Sequence, residues 1–158
     1  VTNAKYDGID VDFSKGIIQN SVIKDCGNDG IDFGGSMGNI VNTKILHCGD
    51  KGISVGEKSQ LGILQVAIQD SEIALGLKDE SQLRISGIEV KNNHLDLAAY
   101  GKKGMFEAPQ LAITSDELSK LSYLIEPSVV LVNKNSIHST VDIKNYMYGK
   151  KFGKASVK

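Results

Sequence analysis

The stretch Asp7-Gly-Ile-Asp-Val-Asp-Phe13 (DGIDVDF) recurs in modified form as DGIDFGG at residues 29–35, 22 residues further along the chain. Aligning the whole sequence on this spacing gives columns of apolar residues. The first column is Ile9, Ile31, Ile53, Leu75 and Leu97, and the second is Val11, Phe33, Val55, Leu77 and Ala99. The third column is Ile18, Ile40, Ile63 and Ile85, and the fourth is Ile23, Ile45, Ile68 and Val90. Both columns require one extra residue to be absorbed between Val55 and Leu61. A fixed period of this length is the signature of a repeat architecture.

Within each unit, apolar and polar residues alternate, as in Ile9-Asp10-Val11-Asp12, and this alternation is typical of a short β-strand. Gly, Asn, Asp and Ser separate the strand segments and indicate turns. One coil of short strands cannot bury its own inward face, so neighbouring coils must stack at the strand spacing of a sheet, about 4.8 Å. The pattern therefore predicts an all-β parallel β-helix, a solenoid of 22-residue coils with equivalent side chains above one another.

The segments IIQNSVIKDCGNDGIDF and IVNTKILHCGDKGISV resemble the right-handed parallel β-helix repeats of the pectin-lyase-like superfamily. In that superfamily an Asn after the second strand commonly lies at a tight corner and stacks into an amide ladder. Asn20 and Asn42 match this position, whereas Gln65 and Gly87 depart from it. The resemblance covers residues 6–100. It is specific for fold and weak for activity, because the same coils carry lyases, hydrolases, epimerases and inert adhesins.

The repeat divides the chain into β-helix coils over residues 1–100 and a C-terminal cap segment with a basic tail over residues 101–158. The first strand begins at residue 8, and no amphipathic helix precedes it to cover the open coil. An uncovered sheet edge pairs readily with other chains. We therefore expect either a chain truncated at its N-terminus or self-association through the open N-terminal coil.

The cap segment is predicted to contain one helix and two strands. Thr114-Ser-Asp-Glu117 has the form of a capping box, and apolar residues at helical spacing extend the predicted helix to Ile125, before a proline. Strands are predicted over residues 128–133 and 137–143, around the turn at 133–136. The last 15 residues hold five Lys and no acidic residue, which is typical of a solvated tail, with contact to a polyanion as the alternative.

Composition limits the classes of partner. The net charge of −1 disfavours nucleic-acid binding, which needs a basic field. No apolar run is long enough to form a membrane-spanning helix. Cys26 and Cys48 lie one period apart, at a stacking distance within the range of a disulfide, but parallel in-register side chains seldom reach the required torsion. A disulfide and two buried free thiols both remain open at this point.

A cluster of carboxylates is predicted on the outer face of the first strand. Because Ile9 and Val11 point inward, Asp10 and Asp12 point outward, about 6.8 Å apart, and Asp32 stacks on Asp10 from the next coil. Like charges so placed repel, and a bound cation would offset that cost. Ca²⁺ prefers several carboxylate oxygens, so Asp10, Asp12 and Asp32 form a predicted calcium site. The alternative is that these residues only mark turns and solvated strand faces.

Two lysines on the same outer face are the predicted catalytic residues. Lys78 continues the column that begins with Asp12, with two glycines between them, and Lys51 stands in the column of Asp7 and Asp29. Lyases that the chain resembles use Lys or Arg to remove a proton beside a carboxylate, with a cation stabilising the developing charge. The alternative for Lys78 is a solvated strand residue. The predicted substrate-binding residues are Asp10, Asp12, Asp32 and Glu57.

These features favour a protein that acts on or binds an acidic polysaccharide. The resemblance implies a calcium-assisted lyase or a uronate epimerase that is secreted or held at the cell surface. The alternative function is a non-catalytic β-helix that binds a surface or serves as a spacer. Sequence features of nucleotide sites and of Ser-His-Asp catalysis are not found.

Overall fold

The computed structural model describes residues 1–132 and 137–148, and stacked coils of short parallel strands make up most of this part of the chain. The strands are β1 (Thr2–Ala4), β2 (Ile9–Asp12), β3 (Lys15–Gln19), β4 (Val22–Cys26), β5 (Ile31–Gly34), β6 (Met37–Cys48), β7 (Lys51–Gly56), β8 (Gln60–Gln69), β9 (Ile73–Lys78), β10 (Gln82–Lys91), β11 (Leu95–Tyr100), β12 (Gln110–Ala112), β13 (Tyr123–Ile125) and β14 (Val130–Leu131). The helices are α1 (Ser115–Leu118) and α2 (Ile143–Tyr148).

The strands form two sheets that run the length of the solenoid. The first sheet has the order β13-β11-β9-β7-β5-β2, and the second has the order β1-β4-β6-β8-β10-β12-β14, with β3 also paired to β6. Every pairing is parallel, as expected when each strand lies one coil above its equivalent. The right-handed parallel β-helix predicted from the repeat is confirmed.

The pairing register reproduces the alignment of the sequence. In the first sheet, Ile31 pairs with Ile53 and Ile53 with Leu75, and all three side chains are fully buried. The extra residue before Leu61 is absorbed in the turn after β7, so that Ile40 pairs with Ile63 in the second sheet. Because the columns are internal ladders, most of the apolar core is a single cluster that extends along the solenoid axis.

A corner bends the second sheet once in each coil. Asn20, Asn42, Gln65 and Gly87 occupy this corner with positive φ angles of 50°, 45°, 53° and 82°. Asn42 Nδ2 donates to Asn20 Oδ1 at 2.7 Å, which is the predicted amide ladder. The outer side of the first sheet is the first face of the solenoid. The bend divides the outer side of the second sheet into two more faces. The second face is formed by residues 15–19, 37–41, 60–64, 82–86 and 110–112, and the third face lies beyond the corner.

A ladder of buried serines joins the coils at the turn after the first sheet. The backbone N–H of Ser14, Ser36 and Ser59 donates to the hydroxyl of the serine one coil further on, at 2.9, 3.0 and 3.2 Å. Ser36, Ser59 and Ser81 are almost completely buried. These hydroxyls satisfy backbone groups that the turn would otherwise leave unpaired inside the protein. The ladder was not predicted, because serine in a turn is too common to mark a buried position.

Cys26 and Cys48 are paired in register and are both buried free thiols. Of the two alternatives left open by the sequence, the structure therefore shows two buried free thiols and not a disulfide. Burial raises the pKa of the Cys48 thiol to about 12, so this group stays protonated at neutral pH.

The coils continue beyond Tyr100. Strand β12 pairs with β10, β13 with β11, and β14 with β12. The N-cap of the predicted capping box is confirmed, since Thr114 Oγ1 accepts the backbone N–H of Glu117 at 3.2 Å. The predicted extension of that helix to Ile125 is wrong: α1 ends at Leu118, and Tyr123–Ile125 is a strand because it completes the ladder of the first sheet.

The segment from residue 137 does not form the predicted strand. Residues 143–148 form α2, and Asp142 accepts the backbone N–H of Asn145 at its start. Ile143 and Met147, four residues apart, pack on the outer face of the first sheet. Tertiary packing therefore decided the conformation here. In the segment 128–133, which was predicted to be a strand, Val130–Leu131 forms one. The predicted turn at 133–136 and most of the basic tail lie outside the described residues.

Candidate functional site

A pocket of about 110 Å³ opens on the outer face of the first sheet. Four of the residues that the sequence analysis selected line it: Asp12, Asp32, Glu57 and Lys78. The fold brings them together because parallel coils stack residues one period apart. Asp10 and Lys51 do not line this pocket. Asp79, Lys102 and Lys103 complete its charged wall.

Glycines form the floor of the pocket, and two charged side chains lie across them. A Cβ atom on Gly34 would lie 2.5 Å from Asp12 Oδ1, and a Cβ atom on Gly56 would lie 3.5 Å from Lys78 Cε. A side chain at Gly34 would displace the carboxylate of Asp12. Gly34 therefore allows Asp12 to lie down onto the sheet, whereas Lys78 lies in ordinary contact distance over Gly56.

Lys78 is a buried lysine that lacks a carboxylate partner among the described residues. Its side chain Nζ donates to Ser54 Oγ at 2.8 Å, and only 8% of the residue is exposed. Burial lowers the pKa of Lys78, and the nearby cation of Lys51 lowers it further. The alternative of a solvated strand residue is therefore wrong. A lysine amine with a lowered pKa in a cleft is typical of a proton acceptor in an enzyme.

Lys51 is also buried, but it belongs to an ionic cluster. Its Nζ donates to Asp50 Oδ2 at 2.5 Å and lies 3.6 Å from Asp29 Oδ1. Burial disfavours the charged amine, but the two carboxylates outweigh that effect and raise the pKa of Lys51 to about 12. Lys51 is thus held as a cation and cannot readily accept a proton. Of the two predicted catalytic lysines, Lys78 is therefore the better candidate for a proton acceptor.

The carboxylate of Asp29 connects this cluster to the backbone. One of its oxygens accepts the N–H of Lys51 at 2.9 Å. Burial raises the pKa of Asp29 to about 6 although Lys51 opposes the change. Asp7 makes the equivalent contact one coil earlier, where its carboxylate accepts the backbone N–H of Asp29 at 2.8 Å. This column is therefore a structural ladder at the turn that enters the first sheet.

The rim of the pocket comes from the long turn after β11. Buried Asp79 holds this turn, because its Oδ1 accepts the backbone N–H groups of both Lys102 and Lys103 at 2.8 Å. The Lys103 amine donates to Glu57, and this hydrogen bond lowers the pKa of the Glu57 carboxyl. Lys102 and Lys103 were not predicted as site residues, since the alignment of the coils ended at Tyr100.

Asp10 lies beside the pocket on the same outer face and pairs in register with Asp32. Partial burial raises its pKa, as do the neighbouring charges of Asp12, Asp32 and Asp7. The predicted repulsion between these carboxylates is thus present. However, no group of three His, Cys, Asp or Glu side chains in residues 1–132 and 137–148 is placed to hold a metal ion. Calcium binding at Asp10, Asp12 and Asp32 therefore stays a prediction.

The comparisons with known proteins agree with the architecture. A family model described as "Right handed beta helix region" matches residues 1–142. The chain belongs to this right-handed β-helix family. Comparison with curated proteins and with solved structures found no match. Because β-helix coils carry many unrelated activities, membership establishes the fold, and function has to be argued from the site.

The described helices of this β-helix protein are α1 and α2, and neither is long and apolar enough to cross a membrane.

Proposed function

We propose that the pocket on the first sheet binds a carboxylate-bearing sugar unit of an acidic polysaccharide, and that the protein is a lyase in which Lys78 is the base. The observation that carries this proposal is the environment of Lys78. Its amine is buried, has a hydroxyl rather than a carboxylate as its hydrogen-bond partner, and has a lowered pKa. Holding an unpaired lysine inside a protein costs stability, so a functional role is the simplest reason for it.

The charges around Lys78 supply the means to orient such a sugar. Lys102 and Lys103 line the pocket together with Asp12 and Asp32. A sugar carboxylate placed against the two lysines would compete with Glu57 for Lys103. The aspartates would then accept hydrogen bonds from the sugar hydroxyls. This arrangement favours a uronate over a neutral sugar, because a neutral sugar would leave the cations without a new partner.

The reaction requires one group that first accepts and then returns a proton. Neutral Lys78 removes the proton from the carbon beside the sugar carboxylate, and that electron pair forms the new carbon–carbon double bond. The bond from the ring to the glycosidic oxygen breaks, and the departing oxygen takes the proton from the protonated Lys78. Lys78 is thereby returned to its neutral form, and the product is an unsaturated sugar end.

Lys78→Met is expected to abolish formation of unsaturated product from polygalacturonate while the protein remains folded and becomes more stable. Met has nearly the same length and requires no hydrogen bond, so the cost of burying an amine disappears. Replacing a buried ion pair by apolar residues of similar volume often stabilises a protein by about 1–4 kcal/mol, and removal of the same desolvation cost gives the direction expected here. Absorbance of the double bond measures the reaction, and thermal melting measures stability.

The matched control is Lys58→Met, which changes an exposed lysine that does not line the pocket. This control should leave both product formation and melting close to those of the unmodified protein. If Lys78→Met forms product at the normal rate, Lys78 is not the base. If Lys78→Met instead unfolds, the amine has a structural role that the proposal does not include.

A non-catalytic β-helix is the second candidate, and the size of the pocket favours it. The volume of about 110 Å³ is below the range of roughly 300–1,000 Å³ that is usual for small-molecule sites. Under this alternative the protein binds polygalacturonate without forming unsaturated product. Binding measured by calorimetry, together with the absence of product, would separate this function from the lyase. Loss of binding in a Lys102→Ala, Lys103→Ala variant would place that binding at the pocket.

The calcium hypothesis predicts that Ca²⁺ stabilises the folded protein. A cation that binds only the folded state adds about 2.7 kcal/mol at a hundredfold excess over its dissociation constant. The measurement compares thermal melting in millimolar Ca²⁺ and in chelator, for the unmodified protein and for Asp10→Asn, Asp32→Asn. Stabilisation of the unmodified protein alone would support a site at these residues. Equal melting in both solutions, with a more stable double variant, would show that the carboxylate repulsion is only tolerated.

A further inference from the structure

A second groove, with a volume of about 940 Å³, lies on the second face and is separate from the pocket at Lys78. It runs across β3, the first halves of β6, β8 and β10, and β12, so its long direction follows the solenoid axis. A ligand in this groove would cross successive strands and meet side chains at intervals of about 4.8 Å. This geometry suits a linear polymer rather than a compact molecule.

A column of glutamines runs along the groove. Gln60, Gln82 and Gln110 are paired in register in three successive coils, and all three are exposed. Each side-chain amide can both donate and accept hydrogen bonds, as a sugar hydroxyl does. The spacing of the column is roughly the length of one sugar ring. The glutamines can therefore repeat the same contact with successive units of a glycan.

The charge of the groove is positive although that of the whole protein is −1. Lys15 and Arg84 line it, and none of the lining residues that the structure describes is acidic. The guanidinium of Arg84 can form two parallel hydrogen bonds to a carboxylate. This charge complementarity selects a polymer that carries carboxylates.

Apolar side chains and small residues complete the surface. Ile17 is 65% exposed and Met37 is 42% exposed, and both line the groove beside Gly62 and Ala112. Such a surface can contact the carbon–hydrogen faces of sugar rings. Within residues 1–132 and 137–148, no aromatic side chain lines the groove, so these residues do not provide the stacking that holds single-stranded nucleic acids. The backbone groups along the face are paired in the sheet ladders and are not open to strand addition by a peptide.

We propose that this glutamine groove, defined by Lys15, Gln60, Gln82, Arg84 and Gln110, binds a linear carboxylate-bearing polysaccharide along the solenoid axis. The site is independent of the pocket at Lys78, because the two lie on different sheets. A protein with both sites would hold one polymer in the glutamine groove while the pocket engages another segment or another chain. Binding at the groove would remain if the pocket had no catalytic activity.

Nuclear magnetic resonance tests the proposal site by site, because each Gln side-chain amide gives its own pair of signals. The probe is polygalacturonate oligomers, with neutral dextran oligomers as the uncharged comparison, and Lys78→Met is used so that the probe is not degraded. We expect the signals of Gln60, Gln82 and Gln110 to shift with polygalacturonate. Arg84→Ala should weaken that titration at least about tenfold, the effect of losing a hydrogen bond to a charged group.

The matched control is Lys91→Ala, which removes an exposed cation on the third face. This control should titrate within about twofold of the unmodified protein, since a distant surface cation contributes little at moderate salt. Unshifted glutamine signals would overturn the proposal, as would equal weakening by Lys91→Ala and Arg84→Ala. Shifts of the same size with dextran would overturn the proposal that the groove selects a polymer that carries carboxylates. Concentration-dependent shifts without any glycan would show instead that a second copy of the chain covers this face.

Discussion

Ile53→Asp is expected to prevent the chain from folding. Ile53 lies at the middle of the first internal ladder, between Ile31 and Leu75, and is fully buried. The aspartate would place a carboxylate inside the apolar core, and it would also remove apolar contacts with the coils on both sides. Such a change costs more than about 5 kcal/mol, which is comparable with the whole stability of many domains. Circular dichroism during heating should show no cooperative transition.

The matched control is Ile17→Asp, which makes the same chemical change at a side chain that is 65% exposed. Its melting should remain cooperative and close to that of the unmodified protein. Because each coil of a solenoid is stabilised by its neighbours, the damage at Ile53 should spread along the stack rather than remain local. An Ile53→Asp variant with normal melting would contradict the core assignment and with it the register of the first sheet.

Lys51→Met is expected to destabilise the protein by about 3–5 kcal/mol, the usual cost of removing one partner from a buried ion pair. The change leaves the carboxylates of Asp29 and Asp50 buried without their cation. The result should be opposite in sign to that of Lys78→Met, although both replace a buried lysine of the first sheet by methionine. The difference arises because Lys51 has carboxylate partners and Lys78 has a hydroxyl. Chemical denaturation measures the free energy of unfolding of the two variants and of the unmodified protein.

The destabilisation by Lys51→Met should depend on pH in a defined direction. The pKa of Asp29 is about 6 in the folded protein and 3.8 as its ordinary value, so the folded state keeps this proton to higher pH. The contribution of Asp29 to stability is therefore most favourable below pH 3.8 and is lost as the pH rises through 6. Removing Lys51 raises the pKa of Asp29 further, so the variant should lose more stability at pH 7 than at pH 5.

Lys58→Met also serves as the control for this experiment, since the ion pair of Lys58 with Glu80 is at the surface. Exposed pairs contribute roughly 0–1 kcal/mol, and this variant should show little change at either pH. A Lys51→Met variant that is as stable as Lys58→Met would mean that the carboxylates of Asp29 and Asp50 are not held in the buried form described.

Much of the candidate site could be predicted because the repeat converts sequence spacing into spatial position. Asp12, Asp32, Glu57 and Lys78 lie within a few coils of one another, and the pocket brings all four together. The protonation of the lysines could not be predicted in the same way. Lys51 and Lys78 have the same side chain on the same sheet, and their pKa values shift in opposite directions because of carboxylates contributed by turns.

The sequence alone determined the 22-residue coil, the parallel register and the inward ladders, because a strict period leaves one way to stack the apolar columns. The resemblance to known β-helix repeats implied the asparagine corner, and a local signal predicted the helix N-cap at Thr114. Tertiary structure decided the rest. The segments at 123–125 and 143–148 became a strand and a helix according to which surface of the solenoid was open to them. The burial of Lys78 and the position of Lys103 were likewise decided by contacts between coils that no local pattern encodes, since burial and charge depend on distances between segments far apart in the chain.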